Sequence, residues 1–262
     1  MSGAAAIGVV GLGEAGSAIA ADLVATGATV RGWDPVASVP DGVEVAAGAP
    51  DAAAGTEVVL SANSAAAALE VADSVAPALV EGQVFADLNT AAPALKREIA
   101  ERIAGTGALF ADVALIAPVP GHGLSTPALV SGSGAARFAA VLAPLGMPVT
   151  EVGAEPGAAA ARKLARSVFA KGLAAAIGEA LAAAERLGFE DWLYEDLARS
   201  LENADPALLQ RLIEGSRLHA ARRLEEMAAA VAMLEEAGVK PRIAAASEAW
   251  LRSLAESEVA SQ

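Results

Sequence analysis

The sequence predicts an α/β Rossmann domain followed by an all-α domain, joined through a long helix. Three observations carry this reading. Gly11-Leu12-Gly13-Glu14-Ala15-Gly16 stands directly after a short apolar run over residues 6–10. Strand and helix signals then alternate as far as residue 152. Beyond Glu155-Pro156-Gly157 the strand signals stop and helical periodicity takes over. The expected domains are therefore 1–155, Rossmann, and 156–262, all-helical.

The apolar run reads as a strand and residues 15–26 as the helix it feeds, so the glycines sit in a strand-to-helix turn. There Gly11 permits the tight turn, Gly13 lets a pyrophosphate approach the backbone, and Gly16 lets helix and strand pack closely. With Leu12, Glu14 and Ala15 they form a cradle in which helix N–H groups and the positive dipole end face phosphates. A second strand, 29–33, ends in Asp34, eighteen positions past Gly16. That is close to the ~20 expected for the acid that holds a ribose diol. A carboxylate there accepts from the 2′-OH and repels a 2′-phosphate, and Pro35 brings no cation, so NAD is expected in preference to NADP. Arg31 is the nearby base, and strand alternation leaves its direction open.

A short strand near 43–46 follows, then strands at 57–61, 84–87 and 108–115, with helices at 65–75 and 93–103 between them. Pro93 is tolerated in the first turn of its helix. Strands at 128–131 and 148–152 flank a helix over 135–145. This βαβ rhythm implies a mainly parallel sheet with helices on both faces and a cofactor at the carboxyl ends of the strands. Asn63 and Thr90 follow two such ends and are candidate cofactor contacts; turn capping by a small polar residue is the plainer alternative. Ser131-Gly132-Ser133-Gly134 reads as a turn rather than a phosphate loop. The second half begins with a helix over 158–187, ended by Gly188. Helices near 191–200 and 206–214 follow, then one over 216–237 stopped by Gly238 and Pro241, and a last one over 243–255.

Composition narrows the function classes. The chain is 55% hydrophobic but only 3% aromatic, so its core is expected to be Ala, Val and Leu in close-packed helices. A formal charge of −14 argues against nucleic acid or an anionic membrane as partner, and an anionic substrate would need a locally basic pocket. Cysteine is absent, which fits a reducing compartment. The first cation is Arg31, so no signal peptide is expected. No charge-free stretch of bilayer length escapes Pro and Gly interruption, and a soluble, cytoplasmic protein is expected. No His/Asp/Glu cluster has metal-ligand spacing, and no G-x-S-x-G marks a serine hydrolase.

Several motifs resemble the β-hydroxyacid dehydrogenase superfamily, which includes 3-hydroxyisobutyrate and 6-phosphogluconate dehydrogenases. The glycine turn matches its N-terminal signature. Asp87-Leu88-Asn89-Thr90-Ala91-Ala92-Pro93 resembles its Asp-x-Ser-Thr-x-x-Pro segment, with Asn for Ser. Lys163-Leu164-Ala165-Arg166-Ser167 resembles its catalytic-lysine helix, with Ser167 where relatives carry Asn. Pro118-Val119-Pro120-Gly121-His122-Gly123 departs from the usual Pro-Val-Ser-Gly-Gly substrate loop. Ser167-Val168-Phe169-Ala170-Lys171-Gly172 and the segment from His219 to Met227 resemble a smaller branch, labelled 6-phosphogluconate-dehydrogenase-like, with a C-terminal helical domain of unknown function.

The resemblance implies hydride transfer between a nicotinamide and the hydroxyl-bearing carbon of a small, anionic β-hydroxy acid or related carbonyl compound. It implies Lys163 as general acid/base, a role that partial burial suits by lowering the lysine pKa toward neutrality. The plainer alternative is an exposed helix cation. Ser167, one turn later on the same face, can hold the reacting oxygen with one donor fewer than Asn, and Lys171 lies one turn beyond. Pro120, Gly121 and His122 occupy the substrate loop, where flanking glycines can turn backbone N–H groups toward a carboxylate. His219, Arg222 and Arg223 form either a cationic anchor or a paired surface stripe with Glu225 and Glu226. The altered loop and missing Asn leave two alternatives: imine reduction on the same fold, and dinucleotide binding without catalysis. The apolar helices need more burial than a small domain supplies, so a homodimer is expected.

Overall fold

A strand buried on both faces must be largely apolar, as residues 6–10, 58–60 and 84–86 are. The computed structural model describes residues 4–259. Its single sheet is built from β1 (Ala6–Val10), β2 (Thr29–Trp33), β3 (Glu44–Val45), β4 (Val58–Ser61), β5 (Val84–Asp87), β6 (Leu109–Leu115), β7 (Ala128–Ser131) and β8 (Val149–Glu151). The order is β3-β2-β1-β4-β5-β6-β7-β8, parallel throughout except between β6 and β7. The six-strand part is the doubly wound order, whose direction reverses between β1 and β4 and so opens a crevice at their carboxyl ends.

Side chains alternate strictly across this sheet. Ile7, Val9, Val58, Leu60, Val84 and Ala86 enter one core, joined by Ile19 and Leu23 of α1 (Glu14–Ala25) and Phe138 of α5 (Ala135–Leu142). Val10, Val59 and Phe85 enter the other, covered by α2 (Ala49–Ala53), α3 (Ala68–Val75) and α4 (Pro93–Ala104). The period-2 pattern thus fixes two cores with one set of strands.

Sequence periodicity does not predict α2. Five residues are too few to show a helical period, and the element forms because Gly8 lets it lie on β1: a Cβ at Gly8 would meet the Ala52 carbonyl oxygen at 2.3 Å. Asp51 also takes the Ala47 N–H at 2.9 Å. The helix expected from 65 begins at Ala68, and that expected over 135–145 ends at Leu142.

The remaining elements are α6 (Ala158–Leu187), α7 (Glu190–Glu202), α8 (Pro206–Leu218), α9 (Ala220–Glu236) and α10 (Arg242–Val259). The break between α8 and α9 falls at His219 rather than before Ser216. Gly215 stays helical and Ser216 is buried, bonded to the Leu212 carbonyl and to Arg223. Helix α6 runs unbroken through Gly172 and Gly178 and is long and apolar enough to cross a membrane by length and composition, with 11% of its apolar window buried. The chain divides into two compact units, one ending at Arg166 and one starting at Ser167. The second has a small core in which Ala183, Leu234 and Ala244 join α6, α9 and α10.

Candidate functional site

The glycine turn has the shape its spacing implies. Gly11 is at φ +97°, and a Cβ on it would meet the Ala62 carbonyl at 2.4 Å. A Cβ on Gly16 would meet the Gly11 carbonyl at 1.9 Å, so only glycine lets α1 sit this close to the turn. A Cβ on Gly13 would meet nothing. Gly13 and Glu14 are exposed while Leu12 is buried, so the turn presents bare backbone outward on an apolar anchor. No side chain caps α1, and the first N–H groups of such a helix suit an anion. The Ser17 hydroxyl donates to the Leu12 carbonyl and closes the turn from inside.

Asp34 follows β2 and braces the same turn. Its Oδ2 accepts from Leu12 N at 2.7 Å, and its Oδ1 accepts from Val36 N and Ala37 N at 2.8 and 2.7 Å. Partial burial opposes its ionisation, but these three donors outweigh it and hold the carboxyl below the usual aspartate value. Arg31 is committed elsewhere: its guanidinium reaches the Asp51 and Ala54 carbonyls at 3.2 and 3.3 Å and the carboxylates of Glu44 and Asp51 at 3.5 and 3.7 Å.

At the crevice itself, Asn63 and Thr90 line one pocket together with Lys163, Ala15, Ala117 and Val119. The Lys163 Nζ donates to Thr90 Oγ1 at 2.7 Å. The first turns of α6 therefore bring the lysine to the end of β5. Arg166 anchors the same turns on the Ile116 carbonyl. Asn63 N donates to Asn89 Oδ1 at 2.6 Å and Asn63 Nδ2 to Ser61 Oγ at 2.9 Å, so the loops after β4 and β5 are stitched together.

The loop after β6 is occupied with itself. Val119 and Leu124 are buried, and Asp22 of α1 accepts the Leu124 N–H at 2.8 Å. His122 N and Gly123 N both donate to the Val119 carbonyl, at 2.9 and 2.8 Å. These donors are therefore turned inward, not toward a carboxylate. Pro120, Gly121 and His122 are exposed, and Ala117 and Val119 line the pocket instead.

Ser167, Lys171, His219, Arg222 and Arg223 belong to the second unit. Ser167 is half-buried and Lys171 exposed. Arg223 Nη1 donates to Ser216 Oγ at 2.7 Å, and Arg222 pairs with Glu226 at 3.8 Å on the surface. The two guanidiniums thus serve different partners within that unit.

Lys96 and Asp112 drew no notice in the sequence, and Asp87 and Asn89 only as part of a motif; all four are buried, and Asn89 lines the pocket. Lys96 Nζ lies 2.7 Å from Asp87 Oδ2 and 3.3 Å from Asp112 Oδ1. Burial pushes the Asp87 carboxyl above its usual value in spite of the Lys96 ammonium and the Asn89 amide beside it. A signal existed: Asp87 and Asp112 interrupt apolar strands, and a carboxylate there requires a buried counter-charge.

The open backbone at Gly13, the uncapped α1 and the braced Asp34 together fit a dinucleotide. Residues 6–153 match a family model described as the NAD binding domain of 6-phosphogluconate dehydrogenase, and residues 184–254 match a domain of unknown function, DUF1932. A conserved hypothetical protein from Sinorhizobium meliloti 1021 is 30% identical; the match covers 96% of this chain and 87% of that one, with a TM-score of 0.64. A conserved protein of unknown function, described as structurally similar to 3-hydroxyacid dehydrogenases, is 27% identical over 97% of this chain and 98% of that one, with a TM-score of 0.63. An imine reductase from Aspergillus terreus, solved with NADPH4 and dibenz[c,e]azepine, is 20% identical over 98% and 95% of the two chains. Its TM-score of 0.81 is a likeness of fold.

Proposed function

Because the chain belongs to the family of the NAD binding domain of 6-phosphogluconate dehydrogenase, we propose that it is an NAD(P)-dependent oxidoreductase that moves a hydride to or from a small β-hydroxy acid or related carbonyl compound. The observation that carries the reading is the 2.7 Å bond from Lys163 to Thr90 at the end of β5, beside Asn63 and in one pocket with the start of α1. Gly11 to Gly16 hold the pyrophosphate and Asp34 the ribose. Bound NAD(P) supplies the hydride acceptor or donor. Lys163 as neutral amine takes the hydroxyl proton when a substrate is oxidised; as ammonium it returns that proton to the carbonyl oxygen in reduction. Thr90 accepts from the lysine and fixes its direction. Within the second unit, Ser167 is the candidate for holding the reacting oxygen, and Lys171, His219, Arg222 and Arg223 are the candidates for cationic contacts with an anionic substrate.

NAD is the preferred cofactor in this reading. Asp34 stays ionised and would repel a 2′-phosphate, and Arg31 is drawn off to Glu44 and Asp51. The exposed apolar side chains of α6 and α7, among them Val168, Phe169, Trp192 and Tyr194, are covered by a second copy in a homodimer. Charges recurring along α6 at Arg162, Lys163, Arg166, Lys171, Glu179 and Glu185 favour that cover over lipid, and with it a cytoplasmic protein.

The test is an absorbance screen for reduced cofactor, with NAD and NADP, across 3-hydroxy acids and their phosphorylated analogues and, in reverse, ketones and imines. Lys163→Ala should turn over ~10²–10⁴-fold more slowly with cofactor binding intact. An unchanged rate would reject the role of Lys163.

One observation favours a second reading, imine reduction. The His122 and Gly123 N–H groups are bonded to Val119 and do not cradle a carboxylate, which suits a substrate without one. Turnover of cyclic imines with none on hydroxy acids would establish it.

A further inference from the structure

The first N–H of helix α6, on Ala158, donates to the local Glu155 carbonyl at 3.2 Å. Gly157 before it has no side chain and stands at φ +92°, where a Cβ would meet the Pro93 carbonyl at 2.8 Å. The first N–H groups of a helix need acceptors, more so when buried. Here the acceptors for the next two come from the sheet. Ala159 N donates to Ser131 Oγ on β7 at 3.0 Å, and Ala160 N donates to Asp112 Oδ2 on β6 at 3.0 Å. The Ser131 hydroxyl in turn donates to Asp112 Oδ2 at 3.1 Å. Asp112 and Ser131 are fully buried.

Lys163 comes three residues after Ala160 and four after Ala159, so it rises from the face that Asp112 and Ser131 hold. Asp112 and Lys163 border the same narrow seam between β6 and α6, with Thr90 and Asn89. A buried carboxylate stands only with a counter-charge. Lys96 supplies it, with its Nζ 3.3 Å from Asp112 Oδ1, 2.7 Å from Asp87 Oδ2 and 2.8 Å from the Asp87 carbonyl. Asp87 is bonded to Asn89, and Asn89 receives the Asn63 N–H. One buried network thus runs from the loop after β4, through β5, α4 and β6, to the start of the lysine helix.

We propose that Asp112 is a positioning residue for Lys163, acting through the first turn of α6, with Lys96 as its counter-ion. The proposal rests on the reading of Lys163 as the acid/base. It explains why the half-buried Lys163 is aimed at Thr90: the aim is set below, by groups that water does not reach. Displacing a reacting group by about 1 Å can slow a reaction ~10²-fold, so a change at Asp112 should register in turnover without touching the dinucleotide turn.

The experiment compares wild type, Asp112→Ala, Asp112→Asn and Ser131→Ala. Each is measured for thermal stability, NADH affinity and kcat, and by carbon-13 NMR after reductive methylation of lysines with labelled formaldehyde. The chain has four lysines, Lys96, Lys163, Lys171 and Lys240, and Lys96 is buried, so three lysine methyl signals are expected beside that of the α-amine. Asp112→Ala should lower kcat ~10–10²-fold with NADH affinity within about twofold, and should move the Lys163 signal while leaving Lys171 and Lys240 in place. Asp112→Asn keeps an acceptor for Ala160 and should recover most of the loss. Ser131→Ala, a milder change, should act in the same direction and serves if Asp112→Ala does not fold. A folded Asp112→Ala or Ser131→Ala protein with wild-type kcat and an unmoved Lys163 signal would overturn the proposal. If Lys163→Ala turns out fully active, the methyl signal still decides: a shift confined to Lys163 upholds the positioning by Asp112 although the catalytic role is lost.

Discussion

The carboxylate of Asp34 accepts the backbone N–H of Leu12 at 2.7 Å and so joins the end of β2 to the middle of the glycine turn. The residue expected to hold the ribose also holds the loop expected to hold the pyrophosphate. Binding and local stability are therefore coupled through one side chain.

Asp34→Ala should weaken NADH binding, read by fluorescence titration, and should lower the NAD-over-NADP preference by about tenfold through loss of a close negative charge. The folded pKa of Asp34 lies below the unfolded value of 3.8. Its contribution to stability is thus present above that value and lost as pH falls through the folded one. The melting difference between wild type and Asp34→Ala should accordingly shrink in acid. Equal affinities for both cofactors in the wild type would count against the assignment.

The first-turn glycines should separate packing from binding. Gly16→Ala places a Cβ against the Gly11 carbonyl and should destabilise the protein by at least about 2 kcal/mol in urea titrations. Gly13→Ala meets nothing and has ordinary φ of −65°, so its melting temperature should hold while dinucleotide affinity falls. A Gly13→Ala protein with unimpaired cofactor binding would mean that the turn does not carry the phosphates.

Glu179 on α6 caps α10 within the second unit, accepting from Arg242, Ile243 and Ala244 N at 2.6, 2.9 and 2.8 Å. Its slight burial works against ionisation, yet these donors together with the Arg242 charge hold its carboxyl below the usual 4.5. The stability it gives is present above 4.5 and disappears as pH falls through the lowered value. Glu179→Ala should cost about 1 kcal/mol at neutral pH, the usual worth of a helix cap, and much less in strong acid. Denaturant midpoints at the two pH values check this.

Sedimentation at micromolar concentration should give twice the 25.9 kDa chain mass. Phe169 and Val168 are 68% and 77% exposed, and Phe169→Asp should shift the protein to monomer. A monomeric wild type would remove the homodimer from the proposed function.

Legibility in the sequence followed the range of the interactions. The strands Val84–Asp87 and Ala128–Ser131 and the helix Ala158–Leu187 lie where period and breakers put them, because alternation, Gly188 and the glycine turn are signals within a few residues of the element they shape. The five-residue α2 was illegible, since it depends on Gly8 of another strand. The inward turn of the His122 and Gly123 N–H groups was equally hidden. Two glycines announce freedom of backbone, but the acceptor that uses it, Val119, is a core residue like any other until the loop has packed.

By itself the sequence determined the doubly wound sheet, the helical half, the dinucleotide turn with its acid at Asp34, and Lys163 as the residue to watch. The first three are written in local pattern or in a motif of fixed spacing, whereas Lys163 stands out through the family resemblance. Only the tertiary structure decided that Arg31 turns to Glu44 and Asp51, and that Lys163 reaches Thr90. It alone decided that Lys96, Asp87 and Asp112 meet in the core beneath the lysine. The physical reason is that a charge in a strand says only that it needs a partner. The partner can be far along the chain, as Ala160 is 48 residues from Asp112, and folding selects it by bringing complementary groups together where water is excluded.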